Sequence, residues 1–294
     1  MKYKYIKNNE DFAAYLADLQ QAQIAEIGLD LEGEYNLHSY GEKLCLIQIY
    51  DGRQPLIVDP FGISTKLMKK FFENKQINKI MFDSSSDQRL LYKQFKIRIF
   101  NIFDLKPAVD LLEYKERNLG FLLMDKIGLP AFDKKSFQRY NWQSRPLAEA
   151  AIDYAISDVL YLFTLKEIIL ADLQAAGMLV DFQQKNQALQ AAAPKINKRP
   201  PIFRKLIFIS LSKSQREIFQ KIYWIREKYA EKLDLPAYRL FSNEKMRKLT
   251  VKPHLVQTFE TRVKIELLEM EKMRSEIEQV HYQAKYNPEK KSGQ

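Results

Sequence analysis

The segment IAEIGLDLEGEY, residues 24–35, decides the fold class and contains the first acidic residues of interest. It is apolar until near its end, where Asp30 and Glu32 stand two residues apart. Side chains of a β-strand alternate between its faces, so this spacing directs both carboxylates to one face. Two like charges at one site are unfavourable without a cation, and hard divalent ions prefer oxygen ligands. Because exposed strand ends often carry such a pair, further acidic residues are needed to indicate a metal site.

The residues around this segment indicate an α/β domain. KLCLIQIY (residues 43–50) and QPLIVDP (residues 54–60) have the composition of two further strands, so a three-stranded meander is expected. The preceding stretch, residues 8–20, has the period of an amphipathic helix capped by Asn8 or Asn9. Helical and strand periods then alternate as far as about residue 180. This alternation predicts a mixed sheet with helices packed on it.

A further carboxylate, Asp87, follows the short strand NKIMF and the polar loop DSSS. It stands at the start of a helix that continues through residues 88–95. Ser86 or Asp87 could be a helix N-cap, since either side chain can accept a hydrogen bond from a backbone N–H. Helix starts beyond strand ends are also where α/β sheets build their sites. Asp87 is therefore compatible with a site shared with the pair on the first strand.

A third acidic position lies in residues 149–169, which have the length and apolar period of one buried amphipathic helix. Tyr154 and Asp158 are four residues apart and therefore lie on one face. The neighbours of Asp158 are mostly apolar, and a buried acid is unfavourable unless it is paired, hydrogen-bonded or bound to metal. The alternative acid, Asp153, lies about 100° around the helix from Tyr154 and is expected to face solvent.

The composition fits a globular protein of two folding units with a basic C-terminal third. The 294 residues are 46% hydrophobic and 29% charged, which excludes a disordered or fibrous chain. After Pro194 there are 23 Lys and Arg against 12 Asp and Glu, a net charge of +11, whereas the whole chain carries +10. Lys and Arg displace the counterions condensed on a phosphate backbone, so a nucleic-acid partner is expected. A solvated helical surface is the alternative.

Membrane and disulfide-rich classes are excluded by the sequence. No apolar run approaches the roughly 20 residues needed to cross a bilayer, and MKYKYIKNNEDF lacks the apolar stretch of a signal peptide. We therefore expect a cytoplasmic protein with no membrane partner. The single cysteine, Cys45, lies inside the apolar run LCLIQI. It cannot build a disulfide framework or a zinc cluster within one chain and is expected in the core.

Taken in chain order, these segments resemble the DEDD exonuclease superfamily, and within it the ribonuclease D family. The three motifs are IGLDLEGEY followed by LCLIQI, then MFDSSSDQRLL, then YAISDVLYL, and the segment WQSRPL strengthens the match. The resemblance covers about residues 5–180. It implies an α/β, ribonuclease H-like (DnaQ-like) exonuclease domain with a mixed sheet.

The third motif resembles the tyrosine subclass, called DEDDy. Members with histidine place it five residues before the last aspartate, where this chain has Asp153; members with tyrosine place it four before, where Tyr154 stands. One departure lies in the second motif. Many relatives have histidine five residues before the aspartate, whereas this chain has Phe82, a position that is not a metal ligand in the family.

The resemblance implies a catalytic site of five residues. Asp30, Glu32, Asp87 and Asp158 would bind two divalent ions, Mg²⁺ or Mn²⁺, with Tyr154 beside them as a further catalytic residue. Asp30 would bridge both ions, Glu32 and Asp158 would complete the site on the nucleophile side, and Asp87 would hold the other ion. One ion would activate a water and the other would stabilise the leaving 3′ oxygen. The Tyr154 hydroxyl would orient the attacking water.

The C-terminal third resembles a second module. Residues 211 to about 253, including YWIREKYAEKLDLPAYRLFSNEKMRKL, resemble the HRDC module that follows the nuclease in ribonuclease D. The predicted organisation is an exonuclease domain at 1–190, a proline-containing linker at 191–210, a small all-α HRDC-like nucleic-acid-binding domain at 211–285 and a disordered tail at 286–294.

The expected function is 3′-to-5′ removal of nucleotides from RNA, in the processing of tRNA or other stable RNA. RNA is favoured over DNA by analogy alone, since no motif identifies contacts to the 2′-OH. A DNA repair exonuclease and a non-catalytic nucleic-acid-binding adaptor remain alternatives. Arg145 could contact a phosphate or form an internal salt bridge. Tyr223 and Trp224, at helical spacing, are expected in the core.

Overall fold

The structure, a computed structural model, describes residues 2–130, 134–194, 196 and 199–286. Two compact units divide the chain: Met1–Glu34 with Glu42–Ile196, and Asn197–Gln294 with Tyr35–Gly41. Within the described ranges, no helix has both the length and the apolar character needed to span a bilayer. The cytoplasmic location stays a prediction.

The first unit is built on a six-stranded mixed sheet, as predicted. Its strands are β1 (Lys4–Ile6), β2 (Glu26–Tyr35), β3 (Glu42–Tyr50), β4 (Pro55–Val58), β5 (Asn78–Met81) and β6 (Ile102–Asp104). Their order across the sheet is β1-β4-β3-β2-β5-β6. β3 and β4 pair antiparallel, whereas β1–β4, β2–β5 and β5–β6 pair parallel. The expected meander is confirmed, because β2, β3 and β4 are neighbours.

Nine helices of the described residues complete the first unit. They are α1 (Asn9–Gln21), α2 (Thr65–Phe72), α3 (Ser85–Phe95), α4 (Lys106–Leu111), α5 (Leu119–Ile127), α6 (Lys134–Phe137), α7 (Glu149–Leu160), α8 (Leu162–Ala175) and α9 (Leu179–Ala191). The predicted cap of α1 is confirmed, since the Asn8 side chain accepts a hydrogen bond from the Asp11 amide.

The prediction of a single helix over residues 149–169 is wrong, because the helix is interrupted at Tyr161, between α7 and α8. Tyr161 has φ −104° and ψ 4°, which interrupts the helical ladder. Val159 before the break and Leu162 after it are both buried in one apolar cluster. The apolar period therefore continues through the break, and the sequence pattern gives no sign of it.

Apolar cores cover both faces of the sheet. Ile80 and Met81 are consecutive residues of β5 and belong to different buried clusters, so these clusters lie on opposite faces. One cluster contains residues of α1, α2 and α3, including Phe12 and Phe71. The clusters on the other face contain residues of α4, α5, α7, α8 and α9. Cys45 is fully buried there, as expected.

The second unit is helical. Its helices are α10 (Leu206–Ile209), α11 (Lys213–Lys232), α12 (Ala237–Leu240), α13 (Asn243–Val251) and α14 (Leu267–Tyr286). A capping box at Ser212 and Gln215 begins α11. The core contains the fully buried rings of Phe219, Phe241 and Phe259.

Two segments of this unit differ from their predicted form. Residues expected in the linker pack in the core: Ile202, Phe203 and Phe208 are buried with the helices. The helical period of the sequence from about residue 254 to residue 284 is interrupted, because a 3-10 turn at Pro253–Val256 is separated from α14. Two bonds from the Arg274 side chain to the Phe259 carbonyl hold the intervening chain. The tail from residue 287 lies outside the described residues, and the domain bounds stay a prediction.

Candidate active site

Three of the predicted metal ligands meet at the junction of β2 and α7. Asp30 and Glu32 come from β2, and Asp158 comes from α7. One carboxylate oxygen from each lies within 4.8 Å of the others. Asp158 is buried, and the two strand residues are half-buried. The spacing argument for one shared face of β2 therefore holds, and α7 adds a third negative charge to that face.

A glycine in β2 lets α7 approach this closely. A Cβ atom on Gly28 would lie 2.8 Å from the backbone oxygen of Val159, a contact that real side chains do not make. Gly28 stands two residues before Asp30, and Val159 follows Asp158 directly. The missing side chain thus sets the separation between the two elements that carry the carboxylates. The sequence analysis missed this role.

Asp87 is a buried carboxyl group beside this cluster. The N-cap of α3 is Ser84, and Asp87 lies inside the first turn, so the prediction of an N-cap at Ser86 or Asp87 is wrong. Burial raises the pKa of Asp87 well above its usual value, and the negative charges of Asp30, Asp104 and Asp83 raise it further. Asp87 is outside the tight group of three but is electrostatically coupled to Asp30.

Asp104, which the sequence analysis also missed, holds the loop before Asp87. Its carboxylate accepts hydrogen bonds from the Asp83 amide at 2.9 Å and from the Ser84 amide and hydroxyl at 2.8 Å each. Asp83 has φ 57°, a left-handed conformation that such bonds help to fix. Burial raises the pKa of Asp104, and these bonds oppose that rise. The bonds orient the start of α3 and therefore Asp87.

Tyr154 lies in the same site. Only 8% of it is exposed, and its side chain lies on the same face of α7 as Asp158, one turn away. Burial raises the pKa of Tyr154, and the charges of Asp158, Glu32 and Asp30 raise it further. The hydroxyl therefore remains protonated at physiological pH and can donate a hydrogen bond. The alternative acid, Asp153, is partly rather than fully exposed.

Aromatic side chains from the segment before α7 cover Tyr154. The Phe137 ring stacks on it, with centroids 4.8 Å apart and an interplanar angle of 17°. The Trp142 ring lies 6.2 Å away and is buried. Contact with both rings restricts the Tyr154 ring to one orientation.

The donor set suits hard divalent cations. Asp30, Glu32, Asp158 and the neighbouring Asp87 offer only oxygen ligands, which Mg²⁺ and Mn²⁺ prefer. Their mutual repulsion is relieved when a cation binds. In the part of the chain that the structure describes, no other group of three His, Cys, Asp or Glu residues meets the same geometric condition.

Comparisons with known proteins identify the family. A model described as 3′-5′ exonuclease matches residues 3–174. The chain belongs to the 3′-5′ exonuclease family. The predicted resemblance to ribonuclease D is confirmed by the relatives and solved structures described next. Enzymes of this fold depend on divalent metal ions. The HRDC assignment stays a prediction.

Curated relatives include the exosome complex component 10 homolog of Caenorhabditis elegans, 33% identical over 47% of this chain and 16% of that protein. Ribonuclease D of Zymomonas mobilis is 25% identical over 84% of this chain and 63% of that protein. The chain therefore spans less than two thirds of either relative. The crystal structure of Escherichia coli RNase D has a TM-score of 0.77 and 20% identity, covering 100% of this chain and 78% of that one. This likeness confirms the fold.

Other predicted residues fall into two groups. Arg145 forms a salt bridge with Asp59, so the interpretation of Arg145 as part of an internal salt bridge is the one observed. Tyr223 is partly buried against the core of the second unit, as expected. The core prediction for Trp224 is wrong, since 55% of it is exposed on α11.

Proposed function

We propose that this protein is a 3′-to-5′ exoribonuclease that hydrolyses phosphodiester bonds at RNA 3′ ends. The observation that carries the proposal is the group of Asp30, Glu32 and Asp158 within 4.8 Å, with Tyr154 close enough for all three charges to raise its pKa. Membership of the 3′-5′ exonuclease family supports the direction of attack. An inert fold used as an adaptor would not need this arrangement, because clustered buried acids destabilise a protein that binds no cation.

The carboxylates supply the ligands for two divalent ions, Mg²⁺ or Mn²⁺. Asp30 would be shared between them, Glu32 and Asp158 would complete the site on the nucleophile side, and Asp87 would hold the other ion. When bound, such ions lower the pKa of an attacking water and stabilise the charge on the leaving oxygen. The hydroxyl of Tyr154, which lies beside Asp158 on α7, would orient the attacking water through a hydrogen bond.

RNA is the proposed substrate class. Curated relatives are named ribonuclease D and exosome complex component 10, and the E. coli structure is described as an exoribonuclease involved in structured RNA processing. We extend this to trimming of tRNA or other stable RNA, in the cytoplasm. A DNA repair exonuclease is the alternative, and a direct comparison of hydrolysis rates on RNA and DNA would reveal it.

We also propose that the helical second unit is an HRDC-like domain that binds the body of the RNA. Its basic residues support this role. Arg247 and Lys248 on α13 and Lys252 at its end are exposed, and none forms a salt bridge with an acidic group of the described residues. Unpaired cations on one surface attract phosphates, since their binding releases counterions.

The test is a time course on an RNA with a 3′ overhang, labelled at its 5′ end, in Mg²⁺, Mn²⁺ or EDTA, beside a DNA of the same sequence. We expect stepwise shortening that requires metal and is faster on RNA. Asp158→Asn should abolish it, whereas Asp153→Asn, the matched control five residues earlier on α7, should retain it. Faster shortening of DNA would favour repair, and binding without any shortening would favour the adaptor.

Metal binding can be measured separately from hydrolysis. A cation that binds only the folded protein raises the melting temperature as its concentration rises. We expect Mn²⁺ to raise the melting temperature of the wild type and of Asp153→Asn, but not of Asp158→Asn. Equal shifts in all three proteins would place the bound ion outside the carboxylate group.

A further inference from the structure

Almost all of the hydrogen-bond donors of the Arg145 side chain are used in bonds within the protein. Its Nε donates to the Asp59 carboxylate at 2.5 Å, and its two terminal nitrogens donate to the carbonyl oxygens of Trp142, Ser144 and Cys45, each at 2.8 Å. These bonds use four of the five N–H groups of a guanidinium. Because Cys45 lies in β3 and Asp59 follows β4, Arg145 ties the segment before α7 to the sheet.

The partner of Arg145 is fixed as firmly. Asp59 also accepts a hydrogen bond from the Tyr5 hydroxyl at 3.1 Å and from the Phe61 amide at 3.1 Å. Burial alone would raise the pKa of Asp59, but the bonds from Arg145 and Phe61 lower it overall. The Phe61 ring lies over the guanidinium, with 4.9 Å between the Arg145 Cζ atom and the ring centroid. The ring shields the ion pair from water. A partly buried, multiply bonded pair holds its geometry far better than an exposed one.

The segment held by Arg145 carries the rings that touch Tyr154. Trp142, whose carbonyl Arg145 binds, packs beside Tyr154, and Tyr140 packs edge-on against Trp142 with centroids 4.9 Å apart. The Tyr140 hydroxyl accepts a hydrogen bond from the Ala148 amide at the start of α7. The arginine is thus linked to Tyr154 both through packed rings and through the beginning of the helix that carries it.

We propose that the Arg145–Asp59 pair is a latch that positions Tyr154, so that Arg145 and Asp59 are positioning residues for hydrolysis. The latch holds the Trp142 segment against Tyr154, so that the Tyr154 hydroxyl keeps its direction toward Asp158. Arg145 does not act as a phosphate ligand, because four of its donors are already used within the protein. The inference rests on the proposed role of Tyr154 as a catalytic residue.

A double-mutant cycle between Arg145 and Tyr154 tests the latch. Arg145→Gln should lower kcat by about tenfold or more, since small displacements of a catalytic group have large effects, and should change KM for a short RNA by less than about twofold. In a Tyr154→Phe background, which has no hydroxyl to position, Arg145→Gln should lower kcat no further. Asp59→Asn should reproduce the effect, and Arg145→Lys, which keeps the charge, should have an intermediate one.

Two readouts separate positioning from general loss of stability. With Trp224→Phe present, Trp142 is the single tryptophan, so a red shift of its emission in Arg145→Gln would report that the segment has been released. Lys126→Gln is the matched control, because the Lys126 side chain is as exposed as that of Arg145 and its pair with Asp172 joins α5 to α8. That control should lower the melting temperature without lowering kcat.

The possible outcomes are distinct. Multiplicative losses in the Arg145→Gln, Tyr154→Phe double variant, or a large rise in KM, would overturn the latch. Unchanged emission of Trp142 together with a lowered kcat would also overturn it. An unchanged kcat in Tyr154→Phe alone would instead contradict the proposed role of Tyr154, while the metal-dependent shortening by the wild type would still support the exonuclease itself.

Discussion

Tyr154 lies beside the carboxylate of Asp158, one turn further along α7. Both side chains are buried, and Asp158 belongs to the acidic group that raises the pKa of Tyr154. The hydroxyl is therefore neutral and lies beside a carboxylate that we propose as a metal ligand. Any contribution of Tyr154 to hydrolysis must depend on orientation and hydrogen bonding rather than on a tyrosinate.

Tyr154→Phe is expected to lower kcat by roughly 10²- to 10⁴-fold, the usual range for a positioned proton-transfer group. KM for a short RNA should change little, because the ring and its packing remain. Single-turnover rates over a range of pH would measure the effect. The ratio between the two proteins should stay constant across neutral pH, because burial keeps the hydroxyl protonated. A ratio that grows with pH would show that ionised tyrosine contributes.

The sequence predicted most of the site because its signals are local. Asp30 and Glu32 share a strand face by spacing alone, and Tyr154 and Asp158 share a helix face in the same way. Asp87 was identified from its place after a strand, and the alternative interpretation of it as a helix cap was wrong. Local periodicity is sufficient for these residues because each pair lies within one element.

The remaining features depend on contacts between distant parts of the chain. Asp104 binds a loop 20 residues earlier, and Arg145 binds Asp59, 86 residues away. Gly28 matters only because α7 packs against it. No spacing rule connects such positions, so a single sequence cannot reveal them. The same limit explains Trp224, whose helical spacing suggested burial on a face that is in fact exposed.

Gly28→Ala should separate the metal ligands. The added methyl group would meet the Val159 oxygen at 2.8 Å, so α7 must move away from β2. Overpacking of this kind costs about 1–3 kcal/mol of stability. We expect a lower melting temperature and, in the folded protein, weaker Mn²⁺ binding and a lower kcat. Thermal melts with increasing Mn²⁺ and rates at saturating metal would measure both.

Gly62→Ala is the control for the glycine prediction. Its methyl group would clash with the Lys7 oxygen at 2.0 Å, so it too should destabilise the first unit. Gly62 lies in the turn after β4 rather than in the strand that carries the ligands. Its folded fraction should keep the wild-type Mn²⁺ dependence. If both variants lose metal binding equally, the loss reflects instability and not the separation of β2 and α7.

Lys79 should make stability depend on pH. Its side chain is fully buried in β5 and donates hydrogen bonds to the carbonyl oxygens of Asn74, Ile77 and Phe100. Burial lowers its pKa from 10.5 to about 7. Between these two values the unfolded chain holds a proton that the folded protein has released. Unfolding free energy therefore rises with pH across this window.

Replacing Lys79 removes that dependence. Urea melts of the wild type and Lys79→Met from about pH 6 to pH 9.5 should show the wild type gaining stability relative to the variant as pH rises. Lys66→Met, an exposed lysine of α2, is the matched control and should parallel the wild type. Parallel curves for Lys79→Met would mean that the three carbonyl oxygens keep the ammonium charged despite its burial.

The basic surface of α13 should determine RNA affinity without affecting the chemistry. Replacing Arg247, Lys248 and Lys252 with Gln removes three exposed positive charges from the second unit. If each contacts a phosphate, the slope of log affinity against log salt should fall by about 2 for single-stranded RNA. Rates on a dinucleotide or trinucleotide, which has at most two phosphodiester groups to contact, should be unchanged.

If the net charge of the protein alone determined RNA affinity, the position of the removed charges would not matter. Helix α2 provides the control for this possibility. Replacing its exposed lysines Lys66, Lys69 and Lys70 with Gln removes the same charge from the first unit. Binding titrations at several salt concentrations should then show an almost unchanged slope. Equal losses in both triple variants would indicate long-range attraction by the whole protein. A loss confined to the α13 variant would place the phosphate backbone on that helix, because only a direct contact releases counterions at a particular site.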